Sequence, residues 1–170
     1  MKKILIAGIG NIFHGDDAFG CEVLRHLQGG ALPEGVTAID FGIRSYDLAF
    51  ALNDGYEAII LVDAAARGQP PGTLYLIEPE VDGLREIEQS AVDAHAMNPV
   101  SVIQMAQSFG GVNGKLYLVG CEPAVLESEG ELGLSWKVQE AIPGAIHMIE
   151  TLVKDILGSK ETIKSSLAAA

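Results

Sequence analysis

Five short apolar runs punctuate the chain, each rich enough in Val, Ile and Leu to be buried on both faces as a strand. They span Lys3–Ile9, Val36–Phe41, Ala58–Asp63, Thr73–Ile77 and Lys115–Cys121. Between them the hydrophobic period lengthens to that of a helix. In Ala18–Leu27 the residues Phe19, Val23, Leu24 and Leu27 fall on one stripe, and Tyr46–Leu52 makes a shorter helix. Pro99–Phe109 carries a stripe of Val102, Ile103, Ala106 and Phe109, with Asn98 as N-cap and Pro99 at the first helical position. A last, long helix from Ser135 to Leu157 presents Val138, Ile142, Ala145, Ile149 and Val153. Ser135 should cap it and Pro143 should bend it.

Strands alternating with helices predict an α/β fold: an open, twisted, mostly parallel five-stranded sheet with helices on both faces. One pair departs from the rule. The connector Ala64–Gly72, between the third and fourth strands, contains Gly-Gln-Pro-Pro-Gly and is too short for a crossover helix. One antiparallel strand is therefore expected. No internal repeat or linker divides the chain, so residues 1–158 should form one domain. The pattern fades after Gly158, and residues 159–170 read as a poorly ordered tail.

Composition narrows the classes. A chain of 170 residues with 48% hydrophobic content can bury a core of its own. No apolar run is long enough to span a bilayer. The opening Met-Lys-Lys-Ile-Leu-Ile-Ala-Gly breaks into Gly-Ile-Gly-Asn before a signal-peptide core could form, which predicts a cytoplasmic protein with a buried first strand. A net charge of −12 argues against nucleic acid or an anionic membrane as partner, since phosphate binding needs a basic footprint. Cys21 and Cys121 are too far apart for a Cys-x-x-Cys motif, so neither a disulfide scaffold nor a structural zinc site is expected.

Ligands of open α/β sheets gather beyond the carboxyl ends of the strands, and the polar residues of this chain cluster there. The first strand runs into Gly8-Ile9-Gly10-Asn11-Ile12-Phe13-His14-Gly15-Asp16-Asp17-Ala18-Phe19-Gly20, and the second ends in Asp40-Phe41-Gly42-Ile43-Arg44-Ser45. The third ends in Val62-Asp63-Ala64, and Asp93-Ala94-His95-Ala96-Met97-Asn98 precedes the Pro99 helix. A dinucleotide site fits poorly. Phe13 stands where the third glycine of G-x-G-x-x-G would fall, and Asp16 and Asp17 put negative charge where a pyrophosphate needs positive potential. P-loop, G-x-S-x-G and H-E-x-x-H patterns are absent. Carboxylates and an imidazole on separate loops of one sheet edge suit a first-row divalent metal such as nickel or zinc, with positions left open.

Structural roles compete with these. Asp16 and Asp17 open a helix, where the macrodipole favours acidic residues, and either could be the N-cap. Asp63 ends a strongly apolar strand, where a carboxylate needs a partner or a task. His95 could equally be a structural loop histidine. His14 reads as a loop residue, His26 and His147 as surface or packing residues, and Cys121 as a small core residue. Arg44 suits either a surface ion pair or a substrate contact, and Met97 either the interior or a substrate contact.

Taken together, Gly8-Ile9-Gly10-Asn11, Gly15-Asp16-Asp17-Ala18-Phe19-Gly20, Asp40-Phe41-Gly42, Val62-Asp63-Ala64, the His95 loop, Leu118-Val119-Gly120-Cys121-Glu122-Pro123 and Gly133-Leu134-Ser135 resemble the hydrogenase maturation endopeptidase family. The resemblance extends from Ile4 to about Val153. It implies a peptidase, aspartic-type or metal-dependent, that removes a C-terminal peptide from a nickel-iron hydrogenase large-subunit precursor after nickel insertion. By motif position, the resemblance assigns nickel contacts to Asp17, Asp63 and His95, with Asp17 and Asp63 also the candidate catalytic residues. Nickel would arrive with the substrate, no organic cofactor is implied, and the protein would act as a monomer. A nickel-centre chaperone that binds the precursor without cutting it would use the same residues. A two-metal aminopeptidase should carry a second carboxylate–histidine set, which the chain lacks.

Overall fold

The computed structural model describes residues 1–79, 99–126 and 132–159. Strands β1 (Ile4–Ile9), β2 (Val36–Gly42), β3 (Ala58–Ala64), β4 (Leu74–Ile77) and β5 (Lys115–Cys121) form one sheet in the order β2-β1-β3-β5-β4. Four of them run parallel, and β4 pairs antiparallel with β5. The helices are α1 (Phe19–Gln28), α2 (Ser45–Leu52), α3 (Pro99–Ser108) and α4 (Trp136–Gly158). A 3-10 turn over Gly15–Ala18 leads into α1.

Alternation along the strands sorts side chains into two cores. Ile4, Ile6, Ile60, Val62, Val119 and Cys121 face α1 and α4, while Leu5, Ala7, Ile9, Ile59 and Leu61 face α2 and α3. The central strands are covered on both sides, which is why their sequences read as continuous apolar runs. The predicted stripes of α1 and α4 are buried throughout. That of α3 loses its last member: Phe109 lies beyond the helix end, 41% exposed, and stacks on Phe50 with ring centroids 4.8 Å apart.

The antiparallel strand is present, but β3 and β4 are not neighbours. β5 lies between them, with Asp63 opposite Gly120 on one side and Tyr75 opposite Gly120 on the other. Parallel pairing buries β5 in the sheet and leaves the four-residue β4 at the edge. Ser135 takes the N-cap position of α4, yet its hydroxyl makes no capping bond and is used elsewhere. Pro143 falls within α4, as the sequence requires. The proposed Asn98 cap and the tail from residue 160 lie outside the described residues.

What fixes the functional end of the sheet is the seating of α1. The first turn of this helix lies directly on the carboxyl ends of β1 and β3. A Cβ at Gly20 would stand 2.2 Å from the carbonyl oxygens of both Ile9 and Val62, and one at Gly10, whose φ is +144°, only 1.8 Å from the carbonyl oxygen of Asp17. The Gly8-x-Gly10 pattern therefore serves close helix–strand approach. Gly20→Ala cannot be absorbed by a side-chain shift, because both obstacles are backbone. It should cost about 3 kcal/mol or more in urea denaturation, at the upper end of overpacking penalties.

Candidate active site

At the carboxyl edge of the sheet, the β1–α1 connection places two adjacent acids in different surroundings. Asp17, half-buried, accepts a hydrogen bond from the Asn11 backbone N–H through Oδ2 at 2.9 Å. Burial pushes its carboxyl above the usual range, against the opposing pull of that hydrogen bond and of nearby His14. Asp16 is fully buried. Its Oδ2 accepts from Ala124 N at 2.8 Å, Val125 N at 2.9 Å and Ser135 Oγ at 2.9 Å, and its Oδ1 accepts from Ser135 N at 2.6 Å. With its oxygens so engaged it is a structural acceptor, and Asp17 is left as the chemically available member of the pair.

Asp63, at the end of β3, is also buried. Removal from water raises its carboxyl well above the ordinary range, and the neighbouring Asp17 charge raises it further, while the Ala64 N–H acts the other way. Two carboxylates from separate loops thus share a poorly hydrated corner, each disfavouring the ionised form. Such a pair can hold a proton, activate a water, or accept a divalent cation that relieves the repulsion. Among the described residues, no group of three or more His, Cys, Asp or Glu side chains could hold a metal ion. The third expected contact, His95, lies outside the described residues, as do Asp93 and Met97.

The surroundings show what sequence reading could not rank. Cys21 is buried with its thiol donating to the Gly10 carbonyl at 3.4 Å; burial, then Asp40, Asp17 and Asp63, push its pKa upward, so it is an inert thiol. Asp40 accepts from Gly42 N at 2.9 Å and so shapes the β2–α2 turn. Arg44 binds the main chain, donating to the carbonyls of Phe41 and Asp40, and makes an exposed ion pair with Asp47 at 3.3 Å. His14, His26 and His147 are exposed, whereas Cys121 is core. Glu122 is the acid whose role was missed. Buried just after β5, it accepts from Arg67 N, Gly68 N and the Tyr75 hydroxyl, tying the β3–β4 connection to the sheet. Burial acts to raise its carboxyl, but those hydrogen bonds outweigh it and hold it below the usual range. Its partners lie 47–55 residues away, so no local pattern announces it.

Exposed apolar side chains flank the carboxylate pair: Ile12 and Phe13 on the β1–α1 connection, Ile43 and Tyr46 after β2. A mostly parallel α/β sheet thus carries paired acids and an exposed apolar rim at its carboxyl edge, where ligands of such sheets collect. Residues 21–152 match the model of the hydrogenase maturation protease family, so the chain belongs to that family. It is 34% identical over 150 residues to a putative hydrogenase maturation protease of Methanocaldococcus jannaschii, covering 87% of this chain and 94% of that protein. The fold resembles the hydrogenase maturating endopeptidase HybD from E. coli with a TM-score of 0.76 at 25% identity, over 90% of this chain and 93% of that one. It also resembles the hydrogenase 2 maturation peptidase of a Thaumarchaeota archaeon, with a TM-score of 0.66 at 35% identity, over 92% and 99% of the two chains.

The raised carboxyl of Asp63 has a consequence for stability. A group whose pKa rises on folding favours the folded state below its unfolded pKa, and that contribution is lost as pH climbs through the folded value. Asp63→Asn removes the loss. The variant should melt a few degrees above the parent at pH 8, a gap that closes as the medium is acidified; thermal melts across pH check this.

Proposed function

We propose that this peptidase removes the C-terminal extension of a nickel-iron hydrogenase large-subunit precursor after nickel insertion, and that Asp17, Asp63 and His95 contact the nickel the precursor carries. The observation that carries the reading is the pairing of half-buried Asp17 with buried Asp63 at the sheet edge of a chain belonging to this family. The donor set fits a cation brought by the substrate: two acids that repel one another are stabilised by its arrival, and an incomplete set releases it afterwards. Helix α3 supports the third contact. Its carboxyl end is held to α2 by the Asn53 amide on the Phe109 carbonyl, at the pole where β3 begins, so Pro99 at its amino end points to the pole of Asp17 and Asp63. His95 precedes Pro99 by four positions.

Nickel in the substrate would supply positive charge to polarise the scissile carbonyl. The chain's own part is proton handling. In its ionised form Asp63 or Asp17 takes a proton from the attacking water; the water oxygen bonds to the carbonyl carbon, the C–N bond breaks, and the proton passes to the leaving amine. The apolar rim of Ile12, Phe13, Ile43 and Tyr46 would seat the chain on either side of the cut. The reaction would proceed in the cytoplasm, with a monomeric enzyme and no organic cofactor, nucleic acid or membrane. Among the described residues, no helix is long and apolar enough to cross a membrane.

Incubation with nickel-loaded and nickel-free precursor, read by mass, tests the proposal. Only the loaded form should be shortened, and Asp17→Asn and Asp63→Asn should each slow cleavage by about 100-fold or more. Binding without cleavage would favour the assembly chaperone instead. Full activity in both variants would remove the carboxylates from the chemistry.

A further inference from the structure

We infer that Asp16 is a positioning residue: by gripping the β5–α4 connection it sets the β1–α1 turn so that the neighbouring Asp17 faces the site. This rests on the reading of Asp17 as the working acid. The carboxylate of Asp16 collects donors from both flanks of that connection, Ala124 and Val125 on one side and Ser135 on the other. The main chain adds a bond in the opposite direction, from Asp16 N to the Val125 carbonyl at 3.0 Å. These contacts bridge 108 to 119 residues of sequence and converge on a fully buried side chain, so the turn cannot swing without losing several hydrogen bonds together.

The adjacent carboxylate inherits this constraint. The turn is short: Asp17 N bonds to the His14 carbonyl at 3.1 Å, His14 N to the Asn11 carbonyl at 3.1 Å, and the Asp17 side chain closes the circuit on Asn11 N. With Asp16 pinned on one side and Gly10 pressed against the Asp17 carbonyl on the other, the residue between them has little rotational freedom left. The Ser135 hydroxyl belongs to the same device. It occupies a helix N-cap position, yet it serves Asp16 and not its own helix. A loop held from outside keeps its shape before substrate arrives, which is what a reacting geometry requires.

Asp16→Asn tests this against a role confined to loop stability. Its amide must turn an N–H toward either Ser135 N or the Ala124 and Val125 donors, breaking part of the cluster. Amide hydrogen exchange of Ala124, Val125 and Ser135 should quicken whether or not the inference is right. The discriminating amide is Asn11, protected through Asp17: it should exchange about tenfold faster or more in Asp16→Asn. Precursor cleavage should lose about tenfold or more in kcat with KM within about twofold, the signature of misplacement of a reacting group. Ser135→Ala, which deletes one bond of the cluster, should move both readouts the same way by about two- to threefold. Unchanged Asn11 exchange and kcat in Asp16→Asn would overturn the inference, and if that variant does not fold, the same result in Ser135→Ala would do so. Should the parent protein not cut the precursor, the proposed function falls, while Asn11 exchange in both variants still decides the role of Asp16.

Discussion

The contact on which the rest depends is that between the first turn of α1 and the carbonyl ends of β1 and β3. Gly20 allows the helix backbone to lie against Ile9 and Val62, and Gly10 allows the strand to turn under Asp17. Helix and strands are then too close for a nucleotide phosphate to enter where such folds often bind one. The space is given to carboxylates instead. Glycines that in another sequence would admit a ligand here exclude it, and the same closeness brings an acid from the β1 loop beside an acid from β3.

Around that contact the fold works by cross-bracing. Asp16 joins the first connection to the last, and Glu122 joins the end of β5 to the turn before β4. Both acids are buried and hydrogen-bonded, whereas Asp63 is buried and Asp17 half-buried, each with fewer partners. The division is electrostatic. Glu122, which accepts several N–H and O–H groups, is held below the usual carboxylate range, whereas burial raises Asp17 and Asp63, each accepting a single backbone N–H. The first kind holds the edge together; the second, on the proposed function, would supply its reactivity.

Much of this was legible in the sequence. The strands begin and end within about a residue of their apolar runs, and in the central β1, β3 and β5 burial on both faces writes itself into the chain as nearly unbroken hydrophobicity, whereas the edge strands β2 and β4 stay partly exposed. Asp63 stood out for the same reason, as a charge at the end of such a run. What could not be read is non-local. Nothing near residue 74 announces that β5 will come between β3 and β4. Asp16 and Asp17 are chemically identical neighbours, and the groups that distinguish them lie more than a hundred residues away. Ser135 looked like a cap since its local surroundings are those of a cap; only the fold shows its hydroxyl claimed by Asp16.

The reluctance of the Asp17–Asp63 pair to ionise makes the corner a reservoir for protons. With Asp63 raised well above its ordinary range, the corner tends to retain a proton that an exposed pair of acids would have surrendered to solvent. On the proposed function, a divalent cation settling between the two acids would have to expel it, so that capture of the cation and release of a hydrogen ion would become one event. The acidity of the surrounding medium would then enter the affinity directly, alkaline conditions tightening the hold and acidic ones loosening it.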